Sequence, residues 1–398
     1  MARTYDAIVI GGGVIGASTA FHLARAGLGR VALVERRTLC SGNTRKSGAI
    51  VRMHYSNDPE ARLALASLPY FQHWSEIVGG GSCGFRPTGF AILVGPENEE
   101  RLGRNVARLR ALGVETSVVG PAELREIVPA LKTDGVAAAA YEPTSGYADA
   151  IMTTRGFAEA AQRLGAEVLE GTTVTALETS GGRITAVRTD GDLLTAPVVV
   201  CAANTWSPAL LRTAGIDLPV TSRRAQTAYF ARPASYAGPH PVILDTTTAL
   251  YTRAHGDDQI LGGAADETGA SPSDPDGYDE RADPEFPGAV SARMGRRLPS
   301  LAGLPLVRGE AGLYDMSPDT RAIIDGAPGV SGLYLAAGFS GTGFKKAPAV
   351  GLGLAELIAA GRATSVDLAP FRFSRYAEDD PIHGVDEYVL PQSWGHSF

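Results

Sequence analysis

The chain has 398 residues, a length that predicts two to three domain-sized units rather than one core. With 44% hydrophobic and 20% charged residues it is too apolar for a disordered chain, and its 48 glycines and 25 prolines lack the G-X-Y period of collagen. The net charge of -7 argues against a nucleic-acid partner held through phosphate contacts.

In chain order, residues 5–10 read as an apolar strand too short to be a helix. Gly11, Gly13 and Gly16 follow in GxGxxG spacing, and a helical stretch over 17–26 is stopped by Gly27. A second strand, 30–35, ends in Glu35. Gly11 makes the tight turn, Gly13 admits a pyrophosphate close to the backbone, and Gly16 lets the helix lie against the strands. The free N–H groups of the helix then face the phosphates. Glu35 lies 19 residues past Gly16, where a carboxylate accepts hydrogen bonds from ribose hydroxyls. The set predicts dinucleotide binding, and its place so early in the chain leans towards FAD.

Further along, a helix is expected to open with Asp58 as its cap and Pro59 in its first turn, and to break or kink near Leu68 because of Pro69. Asp149 is expected to cap another, whose apolar face is Ile151, Phe157, Ala158, Ala161 and Leu164 and whose stop is Gly165. Short strands are predicted at 167–169, 174–178, 184–188 and 198–202. Segments 81–145 and 216–314 are strand-rich, with 89–94, 136–141, 225–230, 249–253 and 259–262 as examples, and predict one antiparallel sheet. Residues 265–287 are acidic and Pro/Asp-rich and read as a surface loop, with a lid as the alternative. A second glycine-rich turn follows strand 332–336: Gly338, Gly341 and Gly343 precede a helix over 348–360, an arrangement that aims N–H groups at an anion or serves as a tight packing turn. The tail after Ala369 carries no assignment.

Cys40, Cys83 and Cys201 stand apart without a CxxC pair, and the seven histidines show no ligand spacing, so reduced thiols and no metal are expected. No apolar stretch reaches the roughly 20 residues of a membrane span. The N-terminus enters a strand with no cleavable hydrophobic region before it, so a cytoplasmic location is expected.

The stretch Gly312-Leu-Tyr314-Asp-Met-Ser-Pro-Asp319, then Arg321 to Asp325, Leu333 to Gly338 and Phe339-Ser-Gly341-Thr-Gly343-Phe344-Lys345-Lys-Ala-Pro348, resembles the signature of D-amino-acid-oxidase-type FAD flavoproteins. The nearest branch is that of monomeric sarcosine oxidase, glycine oxidase and the sarcosine oxidase β subunit. Residues 41–55 resemble the loop that passes the flavin, Thr173-Val174 the strand that holds adenine, and VVVCAANTW at 198–206 a strand and turn of relatives. The segment 370–375 is similar as well.

The resemblance implies an α/β FAD-binding Rossmann-like domain of glutathione-reductase type plus an α+β substrate domain with a mostly antiparallel sheet. The first is assigned to 1–80, 146–215 and 315–365, the second to 81–145 and 216–314, and a tail to 366–398. Implied FAD contacts, besides Gly11, Gly13, Gly16 and Glu35, are Val14, Ile15 and Arg36, then Gly42, Asn43, Thr44, Lys46, Ser47 and Gly48. Val174, Ala202, Ala203 and Trp206 follow, with Gly338, Ser340, Gly341, Thr342, Gly343, Phe344 and Lys345 at the second turn. There the anion is the N1–C2=O locus of reduced flavin.

Arg52 and Lys345 match family positions that hold a substrate carboxylate, a guanidinium fork beside a point charge. Lys346 is expected outside, since two adjacent lysines should not both point inward. Tyr251 and Tyr314 match pocket tyrosines, and His54 in the flavin loop is a further candidate. The implied reaction oxidises a C–N bond in a small amino acid or amine (secondary, N-methyl or cyclic), passing a hydride to flavin N5 and leaving an imine that water hydrolyses. No Asp, Glu or His is required as general base.

Two departures from the pattern matter. Gly312 stands where covalently flavinylated relatives have Cys, and Thr44-Arg45-Lys46 where another branch has a His, so non-covalent FAD is expected. No Lys occurs in 259–262, where oxidases carry one that assists oxygen. The acceptor is therefore oxygen, with Lys46 in that role or a slow reaction, or another electron carrier. Alternatives are a tailoring oxidase, a flavin monooxygenase, or the flavin subunit of a hetero-oligomeric dehydrogenase. A monomer or homodimer is expected.

Overall fold

A run of four fully apolar residues that is buried on both faces makes a central parallel strand rather than an amphipathic one. Ala7–Ile10 is such a strand, pairing in parallel with Val31–Val34 on one side and Val198–Cys201 on the other. The computed structural model describes residues 3–233, 236, 240–264 and 274–390. Six strands form this sheet in the order Ile323–Gly326, Leu333–Ala337, Val198–Cys201, Ala7–Ile10, Val31–Val34, Glu167–Leu169. All neighbours are parallel except the edge strand Ile323–Gly326.

The helix Val14–Arg25 rises directly from the first strand and packs between Ala150–Arg163 and Ala347–Ala360. Its close approach to the last of these needs Gly351, where a Cβ would fall 2.5 Å from Ser18 Oγ. Phe21, Phe157 and Trp74 fill the space beneath, with centroids 5.6 and 4.6 Å apart in successive pairs.

The second sheet has eight strands in the order Leu306–Met316, Thr221–Ala231, Gln259–Ala264, Leu250–His255, Val242–Asp245, Phe90–Val94, Ala138–Glu142, Ser117–Val119. It is antiparallel except where Val242–Asp245 runs parallel to Phe90–Val94. Helix Phe286–Arg297 covers one face, locked by the buried Arg297–Asp245 pair at 2.7 Å. The strands expected at 174–178 and 184–188 belong to a separate small sheet with Leu193–Thr195 and Arg3–Thr4.

Several local expectations are corrected. Asn57, not Asp58, caps the helix Asp58–Gln72, its side chain accepting from Glu60 N at 3.0 Å. That helix continues through Pro69, because Leu68, Tyr70 and Phe71 are buried and packing holds its last turn. Ile151 and Leu164 are 44% and 49% exposed, at the ends of their helix rather than on its buried face.

The tail is informative after all. Arg375 forks onto Asp319 at 2.8 and 3.0 Å, and Val389 exchanges hydrogen bonds with the Asn98 side chain at 2.7 and 2.9 Å. Among the described residues, no helix is long and apolar enough to cross a membrane, and no cluster of His, Cys, Asp or Glu is placed to hold a metal.

Candidate active site

Two adjoining cavities, of about 380 and about 220 Å³, share Val14, Ile15, Asn43, Thr44, Lys46 and Asn204 as lining. The larger is a groove at the carboxyl end of the parallel strands. The smaller lies under the eight-stranded sheet.

The groove starts from the first glycine turn. Gly11 has φ +110°, and a Cβ on it would lie 2.4 Å from the Ala202 carbonyl oxygen. A Cβ on Gly16 would lie 1.9 Å from Gly11 O, so Gly16 acts beneath the groove and lines neither cavity. Gly11, Gly13, Val14, Ile15, Glu35 and Arg36 line it, with Gly42, Asn43, Thr44 and Lys46 opposite. Val174, Ala202, Ala203 and Trp206 complete the expected set.

Glu35 borders the groove and also braces it, its two oxygens accepting from Gly12 N at 2.7 Å and Arg37 N at 2.9 Å. Asn43 ties the walls together: its Nδ2 donates to Asn204 Oδ1 at 2.7 Å and its Oδ1 accepts from Leu313 N at 2.8 Å.

The described part of the acidic loop crosses this groove. Asp276 accepts from Arg36 Nη1 and Trp206 Nε1, both at 2.8 Å, while the Arg36 guanidinium stacks 4.1 Å above the Trp206 ring. Lys46 Nζ donates to Tyr278 OH at 2.6 Å and to Glu280 at 2.8 Å. Residues 265–273 of that loop lie outside the described residues.

Ser47, Gly48, Arg52, Tyr251 and Tyr314 line the smaller cavity, and so do Ser340, Gly341, Thr342, Gly343, Phe344 and Lys345. Arg253 holds the flavin loop in place, donating to Gly48 O at 2.5 Å. Burial pulls its guanidinium down to about 10. Arg52 is buried, with its guanidinium 4.4 Å over the Tyr55 ring and Nη1 on the His54 carbonyl oxygen. Burial, Arg52 and Lys346 together press the Lys345 ammonium well below the usual lysine range, against the pull of Glu60.

Two expectations change here. His54 leaves the site: its ring stacks on Tyr388, Nε2 lies 2.6 Å from that phenol, and burial holds its imidazole down at about 3. Lys346 is not outside but fully buried, on Glu60 and Thr342. Gly338 also lines neither cavity.

The sequence reading missed Asn204, Asp315, Arg223, Gln226 and Thr227 in the lining. Asn204 had a signal, since Asn tolerates the φ of +51° at that turn. Asp315 is buried under the second glycine turn, and burial pushes its carboxyl up to about 6 against hydrogen bonds from the Phe339 and Gly338 backbone and from Asn204.

The residues fit FAD. A side-chain-free cradle at Gly11 and Gly13 opens at a helix N-terminus, a carboxylate stands at the groove wall, and a second glycine turn closes an adjoining cavity. Known proteins agree. The DAO family of FAD dependent oxidoreductases matches residues 6–357. Human peroxisomal sarcosine oxidase is 30% identical over 95% of this chain and 98% of its own length. The L-proline dehydrogenase structure from P. horikoshii superposes with a TM-score of 0.88 at 30% identity, covering 96% of this chain and all of that one. Glycine oxidase from Geobacillus kaustophilus superposes with a TM-score of 0.83 at 25% identity, over 94% and 99%. The chain belongs to the DAO family and is an FAD-dependent oxidoreductase.

Proposed function

From the chain's membership of this family, we propose that it oxidises the C–N bond of a small amino acid whose nitrogen is secondary, N-methylated or part of a ring. The observation that carries this reading is the meeting of Arg52 and Lys345 on one cavity, walled by Tyr251 and Tyr314 and adjoining the dinucleotide groove. Relatives named for sarcosine and L-proline support that substrate class. In this reading the six-stranded sheet and its helices carry the cofactor, and the eight-stranded sheet roofs the substrate.

When bound, FAD would be held between Gly11, Gly13 and Glu35 on one side and Gly341 and Gly343 on the other, and would supply the acceptor for a hydride equivalent from the carbon beside the amine nitrogen. The chain's own residues bind and orient. Arg52 offers a planar fork whose rotation is restrained by the His54 carbonyl and the Tyr55 and Phe90 rings. Lys345 adds a point charge at the start of the last helix. Burial and its cationic neighbours disfavour its charged form, and a carboxylate beside it favours that form again. The same positive surroundings disfavour a substrate ammonium, so the amine is held neutral, the form whose lone pair assists loss of hydride. Tyr251 and Tyr314 shape the walls and exclude water.

FAD is held without a covalent bond in this reading: among the described residues neither cavity is lined by a cysteine or a histidine. Lys46, the lysine nearest the flavin loop's centre, has its Nζ on Glu280 and Tyr278.

The test is the visible spectrum of the purified protein during anaerobic addition of sarcosine, proline, pipecolate, glycine and simple amines. Bleaching by secondary amino acids and not by the carboxylate-free amines is expected. Bleaching by the free amines alone would remove the carboxylate clamp from the account. Readmitting air then separates an oxidase, whose colour returns at once, from a dehydrogenase, whose colour returns with an artificial acceptor.

A further inference from the structure

Behind the two cations of the clamp lies a third that the mechanism above does not use. Lys345 and Lys346 are adjacent in a tight turn, Phe344–Lys346, and both side chains are buried. Lys345 borders the cavity. Lys346 runs the other way, to the Glu60 carboxylate and to Thr342 Oγ1, 2.6 Å from its Nζ.

Each partner is itself fixed. Glu60 lies in the first turn of helix Asp58–Gln72, where Asn57 Nδ2 donates to its Oε2 at 3.1 Å and the Arg321 Nε lies 3.1 Å away. Thr342 Oγ1 donates to Phe339 O at 2.8 Å, across the second glycine turn. Lys346 therefore ties that turn to the helix beside it. The buried Tyr55 ring serves as common ground: Arg52 Cζ, Lys346 Nζ and Lys345 Nζ lie 4.4, 5.2 and 5.9 Å from its centroid.

We propose that Lys346 is a positioning residue of the carboxylate clamp: anchored on Glu60 and Thr342, it holds the turn that delivers Lys345 to the cavity and keeps a fixed cation behind it. This rests on the reading of Arg52 and Lys345 as that clamp.

The charge arrangement follows from the geometry. Burial would push the Glu60 carboxyl up, but Lys346 and Arg321 together hold it at about 2, so Glu60 is ionised and shared between those two cations. The groups that face Lys345 are Arg52 and Tyr55 from the flavin loop, Glu60 from the helix and Lys346 from its own turn. Among the described residues it contacts no carboxylate. An anion arriving in the cavity would meet Lys345 directly. Removing the Lys346 charge lets Lys345 keep its proton to higher pH, and removing the Glu60 charge does the reverse.

The experiment titrates the FAD-loaded protein with benzoate, read by the change in the flavin spectrum, from about pH 6 to about pH 10. The alkaline limit of benzoate binding is expected to rise by roughly one pH unit in Lys346→Met and to fall in Glu60→Gln. Lys346→Arg keeps the cation and is expected to restore the wild-type limit. Thr342→Val keeps every charge and loses one anchor, so benzoate should bind more weakly at all pH values with the limit unmoved. Opposite displacements cannot come from general loosening of the fold. Shifts of the same sign in Lys346→Met and Glu60→Gln, or none in either, overturn the proposal. If either variant loses FAD, the limit in Thr342→Val decides: a limit displaced there overturns it. A wild-type protein that binds no benzoate at any pH overturns the clamp reading itself, and this role with it.

Discussion

Tyr251 packs on Gly263, its partner on the neighbouring strand, so closely that a Cβ on the glycine would fall 2.0 Å from the ring's Cζ and 2.2 Å from its hydroxyl oxygen. Tyr314 repeats the arrangement on Gly341, whose Cβ would meet its ring carbons at 2.9 to 3.0 Å. Both tyrosines of the candidate pocket thus occupy space that glycine leaves. From strand Gln259–Ala264 the cavity is lined by Ala264, Gly263 lies against the Tyr251 ring, and a side chain at Gly262 would run into Val290 at 2.7 Å.

Gly263→Ala should therefore swing the Tyr251 ring into the cavity, because the ring's free end yields more easily than the backbone. Substrate affinity is expected to drop about tenfold, a cost of about 1–2 kcal/mol, with FAD retained. In Tyr251→Ala the same glycine substitution should be nearly silent. Equal effects of Gly263→Ala in both backgrounds, measured as KM in a double-mutant cycle, would dissociate the pair.

Arg52→Met should raise KM for carboxylate substrates by roughly ten- to a hundredfold, the cost of about 1.5–3 kcal/mol for a hydrogen bond to a charged group. Slow turnover of an amine without a carboxylate should be unchanged. A variant whose KM stays at the wild-type value would place the substrate's anion elsewhere.

Glu35→Ala should weaken FAD retention by about tenfold or more, since Gly12 N and Arg37 N lose their acceptor along with the groove's carboxylate. Glu35→Gln keeps an oxygen for one of those N–H groups and should fall between. Reconstitution of the apoprotein with FAD, followed by flavin fluorescence, gives the Kd directly. Wild-type affinity in Glu35→Ala removes the carboxylate from the cofactor site.

The strap over the groove makes a kinetic prediction. Exposed ion pairs contribute little singly, but Asp276 on Arg36 and Trp206 and Glu280 on Lys46 and Arg45 act together. Asp276→Asn with Glu280→Gln should release FAD several-fold faster at low salt, and the difference should shrink at high salt. Stopped-flow release that is equally fast in both proteins would show that the strap does not retain the cofactor.

Acid should destabilise the fold before carboxylates titrate. Burial holds the His22 and His54 imidazoles at about 3, far below the unfolded value of about 6.5. As pH falls from about 6.5 towards 3 the unfolded chain takes up protons that the native one refuses, so stability is complete above that window and is lost within it. Each histidine contributes about 1 kcal/mol per pH unit there. His22→Leu should flatten the fall in Tm between about pH 7 and pH 5. A slope as steep as the parent's would mean that His22 protonates in the native state.

Much of this site was legible in the chain. The spacing of Gly11, Gly13 and Gly16 after a four-residue apolar strand dictates a turn that only glycine closes, and the Gly341 and Gly343 segment does the same at the other end. At Gly16 the constraint is local, a clash with Gly11 O five residues back, while at Gly11 the positive φ is local and the clash with Ala202 O comes from the chain beyond the adjoining strand. Family resemblance carried Arg52, Lys345, Tyr251 and Tyr314 to positions that the fold brings around one cavity.

What spacing could not decide was direction and long-range partnership. Lys345 and Lys346 share a tight turn, and each points inward because that turn is enclosed on both sides, one by the cavity and one by Glu60, 286 residues away. His54 shares a loop with Arg52 but packs on Tyr388, 334 residues on, which turns a site candidate into a core residue. Asp276 finds Arg36 across 240 residues. Local backbone geometry follows from neighbouring residue types, so glycine turns and caps are written in short windows. Which face a buried charge presents depends on the partner that pays its desolvation, and only the folded chain brings that partner within reach.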